Sequence, residues 1–395
     1  MRVCVVYDCL FPHTVGGAER WYRNLAERLA AAGHEVTYLT LCQWDEGEEP
    51  DLEGVEVVAV APRMALYGAD GNRRIAPPLA FGAGVLWHLL RRGRRYDAVH
   101  CPSFPYFSLL GAWLALRLRR SRAPLVVDWY EVWGRQYWIS YLGPLGGRIG
   151  YAVQRLCMRL PDRSFTFSRL HAERLRAEGH RAPITRLTGL RAAEEERTPA
   201  LEAPDPPLVV FAGRHIPEKR VPSIPRAIEL ARRQRPELRC LILGSGPDSE
   251  RTAELGRELH LGAALKMPGR VPSEQVTAAL ADASCLLLPS EREGYGLVVV
   301  EAVELATPAV VVAGAENAAV ELVEAGQNGF VCESVEPQAL ADAILRVVDG
   351  GEALRRSTRQ WYERHADELS IESSLEAVEA ASGEAPGRAH NVRPT

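Results

Sequence analysis

The chain has 395 residues, which is too long for one ordinary hydrophobic core and predicts two domains of roughly 190 residues each. Hydrophobic residues make up 47% of the chain, which is enough to give each domain a core. The formal net charge is −4, and no nucleic-acid partner is predicted. The charge is uneven, because Met1 to Leu190 holds 25 arginines and 18 acidic residues whereas the rest holds 22 basic and 33 acidic residues. Only two lysines accompany 45 arginines, so arginine is the default cation.

The cysteines and the N-terminus indicate where the protein resides. The eight cysteines form no C-x-x-C pair and mostly lie in apolar runs, which is typical of buried thiols in a reducing compartment. The chain opens on a strand with no signal peptide, and its most apolar helix, Pro77 to Leu90, is too short to span a bilayer. We therefore expect a cytoplasmic protein.

Strand and helix signals alternate along the first half, which predicts a parallel sheet wrapped by helices. The predicted strands are Val3–Tyr7, Val36–Leu41, Val55–Val60, Ala98–His100, Leu125–Asp128 and Ser164–Phe167, with helices at about 17–32, 77–92, 106–120, 146–159 and 169–178.

After a charged, proline-rich stretch at 191–207, which is typical of a linker, the same alternation restarts. Two α/β, Rossmann-like domains facing each other across a cleft are the fold that we expect, at 1–190 and 208–360. A C-terminal helix at 361–381 and a disordered tail at 382–395 complete the organisation. The predicted strands of the second domain are Leu208–Phe211, Arg239–Leu243, Ala264–Met267, Cys285–Leu288 and Ala309–Val312.

In the first domain, Gly16 and Gly17 stand at the start of the first long helix, where the backbone N–H groups can receive an anion. The pattern is not G-x-G-x-x-G, and no acidic residue follows the second strand where it could hold an adenine ribose. An NAD-dependent enzyme is therefore disfavoured.

Aromatic and acidic residues gather where the fifth strand leaves the sheet, between Val126 and Trp138. Asp128 or Glu131 could orient a nucleophilic hydroxyl or amine. The tryptophans of this segment fit either a sugar-binding wall or a core beneath a long loop. His100, at the end of the fourth strand, fits a pocket and simple packing equally well.

The second domain places two cations just after its first strand, in the segment that runs from Phe211 to Arg220. Arg214 and Lys219 can clamp a diphosphate, because arginine offers a planar fork and lysine a mobile point charge. A solvated basic loop is the alternative. The rarity of lysine argues against a solvated loop, because Lys219 is one of only two lysines in a chain that otherwise uses arginine.

Glycine turns follow the next two strands. The first is Gly244-Ser-Gly-Pro247, whose glycines would allow close packing under a ligand. The second contains Gly269 and Arg270, and its backbone could bind a nucleobase. Plain turn geometry also explains glycines at strand ends.

Two carboxylates, Glu293 and Glu301, flank a further glycine-rich turn after the buried strand 285–288. Such turns meet ligands at the carboxyl edge of a parallel sheet, and carboxylates accept hydrogen bonds from sugar hydroxyls. We expect Glu293 in the loop and Glu301 about two turns into the next helix. The residues expected to approach a ligand between them are Gly294, Tyr295, Gly296 and Leu297.

Together these residues resemble the family 4 retaining glycosyltransferases of the GT-B fold, over nearly all of the chain. The family's E-x7-E motif corresponds to Glu293 and Glu301, its G-R-x4-K clamp to Arg214 and Lys219, and its first glycine loop to the sequence from Gly16 to Glu19. The G-x-G-P turn corresponds to Gly244–Pro247, and the helix that crosses back onto the first domain to Trp361–Ala380.

The resemblance implies a nucleoside diphosphate sugar as co-substrate, with no other cofactor and no metal ion. By it, Glu301 binds the ribose, Glu293 binds the transferred sugar, and Arg214 and Lys219 stabilise the leaving diphosphate in a front-face reaction. The chain departs from the family at Tyr130, where members often have a histidine that contacts the donor sugar. Which sugar is transferred therefore stays open.

Two other function classes remain as alternatives at this stage. A nucleotide-sugar epimerase or a phosphorylase could use the same architecture, although a pyridoxal phosphorylase has only Lys219 and Lys266 available. A catalytically weak nucleotide-sugar-binding partner protein is the other. The acceptor, expected near His100, Asp128, Tyr130 and Glu131, could be a small molecule, a glycan or a lipid. Arginine clusters at 91–95 and 117–120 fit either a peripheral membrane contact or solvated helix ends.

Overall fold

A computed structural model describes residues 1–14, 16–66, 74–191 and 199–383. The chain divides into two compact units, and each has its own parallel sheet. Unit 1 comprises Met1–Ala192 and Ile371–Thr395, and unit 2 comprises Ala193–Ser370. The expectation of two α/β domains is confirmed.

Unit 1 is built on seven parallel strands in the order β3-β2-β1-β4-β5-β6-β7. Every residue of β4 and β5 is buried, because helices cover both faces of the sheet. The strands are β1 (Arg2–Val6), β2 (Glu35–Leu41), β3 (Val55–Ala61), β4 (Ala98–Pro102), β5 (Leu125–Trp129), β6 (Arg163–Thr166) and β7 (Ile184–Arg186).

The helices of unit 1 divide between the two faces. The crossovers from β3 to β4, β4 to β5 and β5 to β6 advance in one direction across the sheet, so right-handed connections put their helices on one face. The crossover from β1 to β2 advances in the opposite direction and covers the other. The helices are α1 (Gly17–Ala31), α2 (Ala76–Arg92), α3 (Tyr106–Leu118), α4 (Arg135–Cys157) and α5 (Arg169–Ala177).

Unit 2 has six parallel strands in the order β10-β9-β8-β11-β13-β15, beside a two-stranded pair of β12 and β14. Its strands are β8 (Leu208–Ala212), β9 (Arg239–Leu243), β10 (Leu265–Gly269), β11 (Cys285–Leu288), β12 (Arg292–Glu293), β13 (Ala309–Val312), β14 (Glu316–Asn317) and β15 (Gly329–Cys332). Its helices are α6 (Ile224–Arg232), α7 (Ser249–Glu258), α8 (Ser273–Ala281), α9 (Leu297–Glu304) and α10 (Pro337–Leu369).

Some elements differ from the sequence-based expectation. Strands β7 and β15 were not expected, because three or four residues at a sheet edge carry little periodicity. Helix α4 begins at Arg135 and consists of two helical stretches separated by a kink at Gly143, whose φ of 75° and ψ of 175° are not helical. The expected helix at about 146–159 corresponds to the second stretch, and the first stretch was not expected.

The C-terminal segment is two helices rather than one. Helix α10 ends at Leu369, so the residues from Trp361 to Leu369 belong to unit 2, and α11 (Ile371–Gly383) belongs to unit 1. Ser374 fastens α11 there, since its hydroxyl donates to the carbonyl of Gly189 at 2.6 Å and accepts from the amide of Gly189 at 3.0 Å. Most of the expected linker (192–198) and the tail from 384 onward lie outside the described residues.

Three features bear on the classes considered from sequence. All eight cysteines are free thiols, and burial raises the pKa of Cys332 to about 11 and that of Cys157 to about 12, so both are protonated at neutral pH. Within the described residues, no cluster of His, Cys, Asp and Glu could hold a metal ion. No helix in the same ranges is long and apolar enough to cross a membrane.

Candidate active site

The carboxyl ends of β8, β9 and β10 meet in one surface of unit 2 through close backbone contacts. Gly244 has φ of +117°, and a Cβ there would lie 1.8 Å from the carbonyl oxygen of Gly213. A Cβ on Gly246 would lie 2.4 Å from the carbonyl oxygen of His215. The amide of Gly244 donates to the carbonyl of Gly269 at 2.9 Å. Only glycine fits where the loops approach this closely.

His215, which was not among the residues predicted from the sequence, supports this surface through hydrogen bonds beneath the glycine turns. It is 1% exposed, and its Nδ1 lies 2.8 Å from the hydroxyl of Ser249. That hydroxyl also accepts a 3.0 Å hydrogen bond from the amide of Gly246. Burial lowers the pKa of His215 below its ordinary value of 6.5, with opposing contributions from the Leu243 backbone and Asp248.

We expect acidification to destabilise unit 2 through His215. Because its pKa is lower in the folded than in the unfolded protein, the histidine contributes stability above about pH 6.5 that is lost as pH falls through the folded pKa. His215→Asn should flatten the acid side of a plot of thermal midpoint against pH. His88 and His180, whose pKa values are also lowered by burial, contribute to the total with the same sign. Identical slopes for the variant and the native protein would contradict the assignment.

Two predicted site residues meet directly in the loop that follows β8. The Nζ of Lys219 lies 2.5 Å from Oε1 of Glu293, and their side chains are 18% and 11% exposed. Arg214, earlier in the same loop, is exposed. The structure therefore joins the predicted clamp to the predicted sugar-binding loop across 74 positions of sequence.

Two further ion pairs and a backbone hydrogen bond hold these loops in register. Glu218 pairs with Arg292 at 3.0 Å, and Arg220 pairs with Glu291 at 3.0 Å. The amide of Glu291 donates to the carbonyl of Glu218 at 2.8 Å. Three consecutive residues of one loop thus pair with three consecutive residues of the other. We call this set, 218–220 with 291–293, the loop clasp.

The other side of the Glu293 loop is held by Asn317, which the sequence analysis also missed. Its side-chain amide donates to the carbonyls of Ser290 at 3.1 Å and Val312 at 2.8 Å. Its side-chain oxygen accepts from the amide of Ala319 at 3.0 Å. Strands β12 and β14 pair beside it. The backbone at Glu293 is thereby held by β14, while its carboxylate is held by Lys219.

The E-x7-E segment leads into helix α9 as expected, but its second glutamate lies closer to the start of the helix than expected. Gly296 caps α9 with φ of +105°, and a Cβ there would lie 2.7 Å from the side chain of Ala319. Tyr295 is 8% exposed. Glu301 is the fifth residue of α9 and half-buried, so it lies about one turn into the helix rather than two. The other predicted donor contacts are Gly294 and Leu297, both half-buried, and Arg270, which is exposed.

We expect the Glu218–Arg292 pair to position Lys219 and Glu293 for the reaction. Both side chains are mostly buried, so Glu218→Gln or Arg292→Gln should lower kcat/KM about tenfold by letting the loops shift. Arg220→Gln is the matched control, because its pair with Glu291 is more exposed and such pairs contribute little. Steady-state kinetics test this, and an equal loss in all three variants would contradict a special role for the buried pair.

In unit 1, the predicted glycine loop does precede a helix. Gly16 caps α1 in an extended conformation, and Gly17 is its first residue. Glu19 lies in the first turn, where a negative charge favours the helix dipole.

Two of the predicted acceptor-binding residues, His100 and Asp128, pair with each other inside unit 1. His100 is 3% exposed and Asp128 is fully buried. Their side chains pair at 2.6 Å, and the indole of Trp21 donates to Asp128 at 2.9 Å. The pair therefore links α1 to the sheet, and an acceptor-binding role for either residue stays a prediction.

Tyr130 and Glu131 are half-buried beside this pair. Tyr130 stacks on Phe167 with ring centroids 4.4 Å apart, and its buried hydroxyl has no hydrogen-bond partner among the described residues. Burial, with Asp128 nearby, raises its pKa well above 10. The indole of Trp133 donates to Glu131 at 2.7 Å.

The aromatic residues of this segment form core rather than a binding wall. Trp129, Trp133 and Trp138 are all buried. Gln154 organises two of them, because its side-chain oxygen accepts from the amide of Trp133 and from the indole of Trp138, both at 3.1 Å. Of the two alternatives left open by the sequence, packing is the correct one.

Comparison with known proteins identifies the family to which both units belong. Residues 192–364 match the family described as glycosyl transferases group 1, and residues 16–191 match the glycosyl transferase 4-like domain. Glycogen synthase from Mycobacterium tuberculosis is 28% identical over 389 residues, which cover 91% of this chain and 89% of that protein.

Two solved structures share the fold over nearly the whole chain. Sucrose-phosphate synthase from Thermosynechococcus elongatus has a TM-score of 0.75 at 17% identity, covering 96% of this chain and 98% of that one. Anabaena HepE in complex with UDP-glucose has a TM-score of 0.71 at 16% identity, covering 96% and 99%. The two family matches and the two parallel-sheet units lead to one conclusion: the chain belongs to the family 4-like glycosyltransferases of the GT-B fold.

Proposed function

We propose that this glycosyltransferase moves a sugar from a nucleoside diphosphate sugar to an acceptor hydroxyl or similar nucleophile, with retention of anomeric configuration. The observation that carries the proposal is the contact between Lys219 and Glu293 at the carboxyl edge of the unit 2 sheet. It joins a cation suited to phosphate with a carboxylate suited to sugar hydroxyls. HepE, which has the same fold, has been solved in complex with UDP-glucose, and this supports the donor class.

The chemistry of the pair allows each partner to serve the donor. A lysine ammonium has three N–H donors, and Glu293 uses one of them in this structure, which leaves two for phosphate oxygens. Glu293 binds Lys219 through Oε1, and its Oε2 can accept from sugar hydroxyls. The Glu293–Lys219 contact holds the ammonium where negative charge develops on the leaving diphosphate.

The other donor contacts follow from their positions. Arg214 supplies a second cation to the diphosphate, and Glu301 on α9 accepts from the ribose hydroxyls. The Gly269 and Arg270 turn binds the base, and Gly16 and Gly17 of the glycine loop are further donor-binding residues. With Arg214 and Lys219 supplying the counter-charge, a divalent ion is unnecessary, and EDTA should leave the rate unchanged.

The acceptor is bound mainly by unit 1, close to Tyr130 and Glu131. Glu131, which is half-buried, offers a carboxylate, and Tyr130 lies next to it in the chain with its hydroxyl buried. The acceptor is a small molecule, a glycan or a lipid, and the protein acts in the cytoplasm.

Product analysis with the full chain tests the proposal. The protein is incubated with UDP-, ADP- and GDP-sugars and an acceptor extract, while nucleoside diphosphate release is measured. We expect release with one donor class, acceleration by the extract, and an anomeric configuration in the product, determined by NMR, that matches the donor. Inversion would overturn the retaining mechanism. Donor binding without release for any acceptor would instead support a binding protein.

A further inference from the structure

Large apolar side chains are exposed in one part of unit 1. Twelve of them occur between residues 75 and 156, and Met1 is the only other exposed large hydrophobic residue among those that the structure describes. A soluble surface seldom concentrates such residues without a partner. They are Ile75, Leu79, Trp87, Phe104, Phe107, Leu114, Leu118, Tyr141, Leu142, Leu145, Ile149 and Leu156.

These residues share one layer of the fold. They lie on α2, α3 and α4 or on the residues just before these helices, and the three helices cover the same face of the sheet. The inward sides of the helices are occupied by core residues such as Phe81, Leu109 and Cys157, all buried. The exposed apolar residues therefore point away from the sheet. We call this surface the α2–α4 face.

The same region is strongly basic. Residues 74–161 contain thirteen arginines and three acidic residues, and none of the three acids lies on α2, α3 or α4. Asp97 pairs with Arg2, Asp128 is fully buried, and Glu131 binds the indole of Trp133. The α2–α4 face thus combines apolar side chains with an excess of positive charge, although Arg92 pairs with Glu56 at 4.0 Å and Arg155 pairs with Glu178 at 3.8 Å, both acids on neighbouring elements.

Helix α4 shows the combination most clearly. After the non-helical Gly143, Leu145, Ile149 and Leu156 recur at positions i, i+4 and i+11 on one side of the helix and are 73%, 58% and 50% exposed. Arg148 and Arg155 are exposed on the same helix. A helix with an apolar stripe and flanking arginines, but no acid, has the composition of one that lies in a membrane interface.

We propose that the α2–α4 face docks on an anionic phospholipid bilayer, with its apolar side chains among the acyl chains and its arginines at the headgroups. A second copy of the chain fits less well, because a two-fold interface would set the arginines of these helices against each other, and none of the three helices carries an acid to pair with them. A bilayer supplies both an apolar interior and negative headgroups. The inference goes beyond the proposed function and does not depend on transfer activity.

Vesicle flotation with the full chain tests this docking. We expect the protein to float with vesicles of equal parts phosphatidylglycerol and phosphatidylcholine and to bind pure phosphatidylcholine at least tenfold more weakly. Leu145→Glu with Ile149→Glu should lower the partition coefficient at least tenfold, and Arg148→Gln with Arg155→Gln roughly tenfold. Ala353→Glu with Gln360→Glu is the control, since it adds two acids at exposed positions of α10 and should bind like the native protein.

Each outcome decides the proposal. Circular dichroism and thermal midpoints establish that the variants fold. If Leu145→Glu with Ile149→Glu does not fold, Arg148→Gln with Arg155→Gln still tests the proposal. Absent flotation, equal binding to neutral vesicles, or an equal loss in the α10 control would overturn the proposal. So would a dimer in sedimentation velocity that Leu145→Glu with Ile149→Glu abolishes, because the face would then bind a second copy. Loss of flotation with unchanged nucleoside diphosphate release in detergent would support docking independently of the proposed function.

Discussion

Lys219→Ala is expected to lower kcat for sugar transfer at least tenfold while the protein stays folded. Removing one preorganised contact to developing negative charge typically costs about 3 kcal/mol of transition-state stabilisation. Lys219 is well placed for that role because Glu293, only 11% exposed, holds its ammonium at 2.5 Å. Glu293→Ala should also lower kcat at least tenfold, since it removes both the sugar contact and the support of Lys219.

The chain offers a matched control for this experiment. Lys266, the only other lysine, is exposed on β10, and Lys266→Ala should leave kcat near normal. Because Lys219 and Glu293 are in contact, the double variant should lose less than the product of the two single losses. A near-normal rate in either single variant, or strictly multiplicative losses, would contradict the coupled assignment. Thermal midpoints separate a lost contact from a lost fold.

The framework of the fold was predictable because its signals are local. Buried parallel strands such as β11 and β13 are short apolar runs followed by glycine turns, and both properties appear within a few residues of sequence. The same logic places Gly244 and Gly296 correctly, since each occupies a positive φ beside a close contact that excludes a side chain. The carboxyl edge of the sheet then brings the predicted donor residues of unit 2 to one end.

What the sequence did not show depends on contacts between distant positions. The loop clasp joins 218–220 to 291–293, and neither segment alone indicates the other. His100 and Asp128 lie on the adjacent strands β4 and β5 but are not register partners, since His100 is opposite Val126, and only the folded structure shows that their side chains pair. Trp133 and Trp138 likewise donate hydrogen bonds to Gln154, which is 21 and 16 residues further along the chain, so their burial is not visible in the local sequence.

Arg355 of α10 is another residue that the sequence left unremarked, and its side chain is 2% exposed. Its guanidinium donates to the carbonyls of Ala200 at 2.8 Å, Ala283 at 2.5 Å and Ala281 at 3.3 Å. It also reaches the carbonyl of Leu305 at 3.4 Å. Burial lowers its pKa, with Asp282 opposing. The guanidinium of Arg355 has five N–H donors in a rigid, planar arrangement. Through them it links the end of α8, the end of α9 and the segment before β8.

Arg355→Ala is expected to destabilise unit 2 by about 3 to 5 kcal/mol, because it leaves several buried carbonyls without a donor and opens a cavity. Arg355→Met should lose nearly as much, since it restores the packing of the stem but not the hydrogen bonds. Arg356→Ala is the control, because the neighbouring Arg356 is exposed and pairs only along its own helix with Glu352. Calorimetry measures the midpoints, and hydrogen exchange should rise first in α8 and α9. If Arg355→Met were as stable as the native protein, packing of the stem would account for the residue, and the carbonyl hydrogen bonds would contribute little.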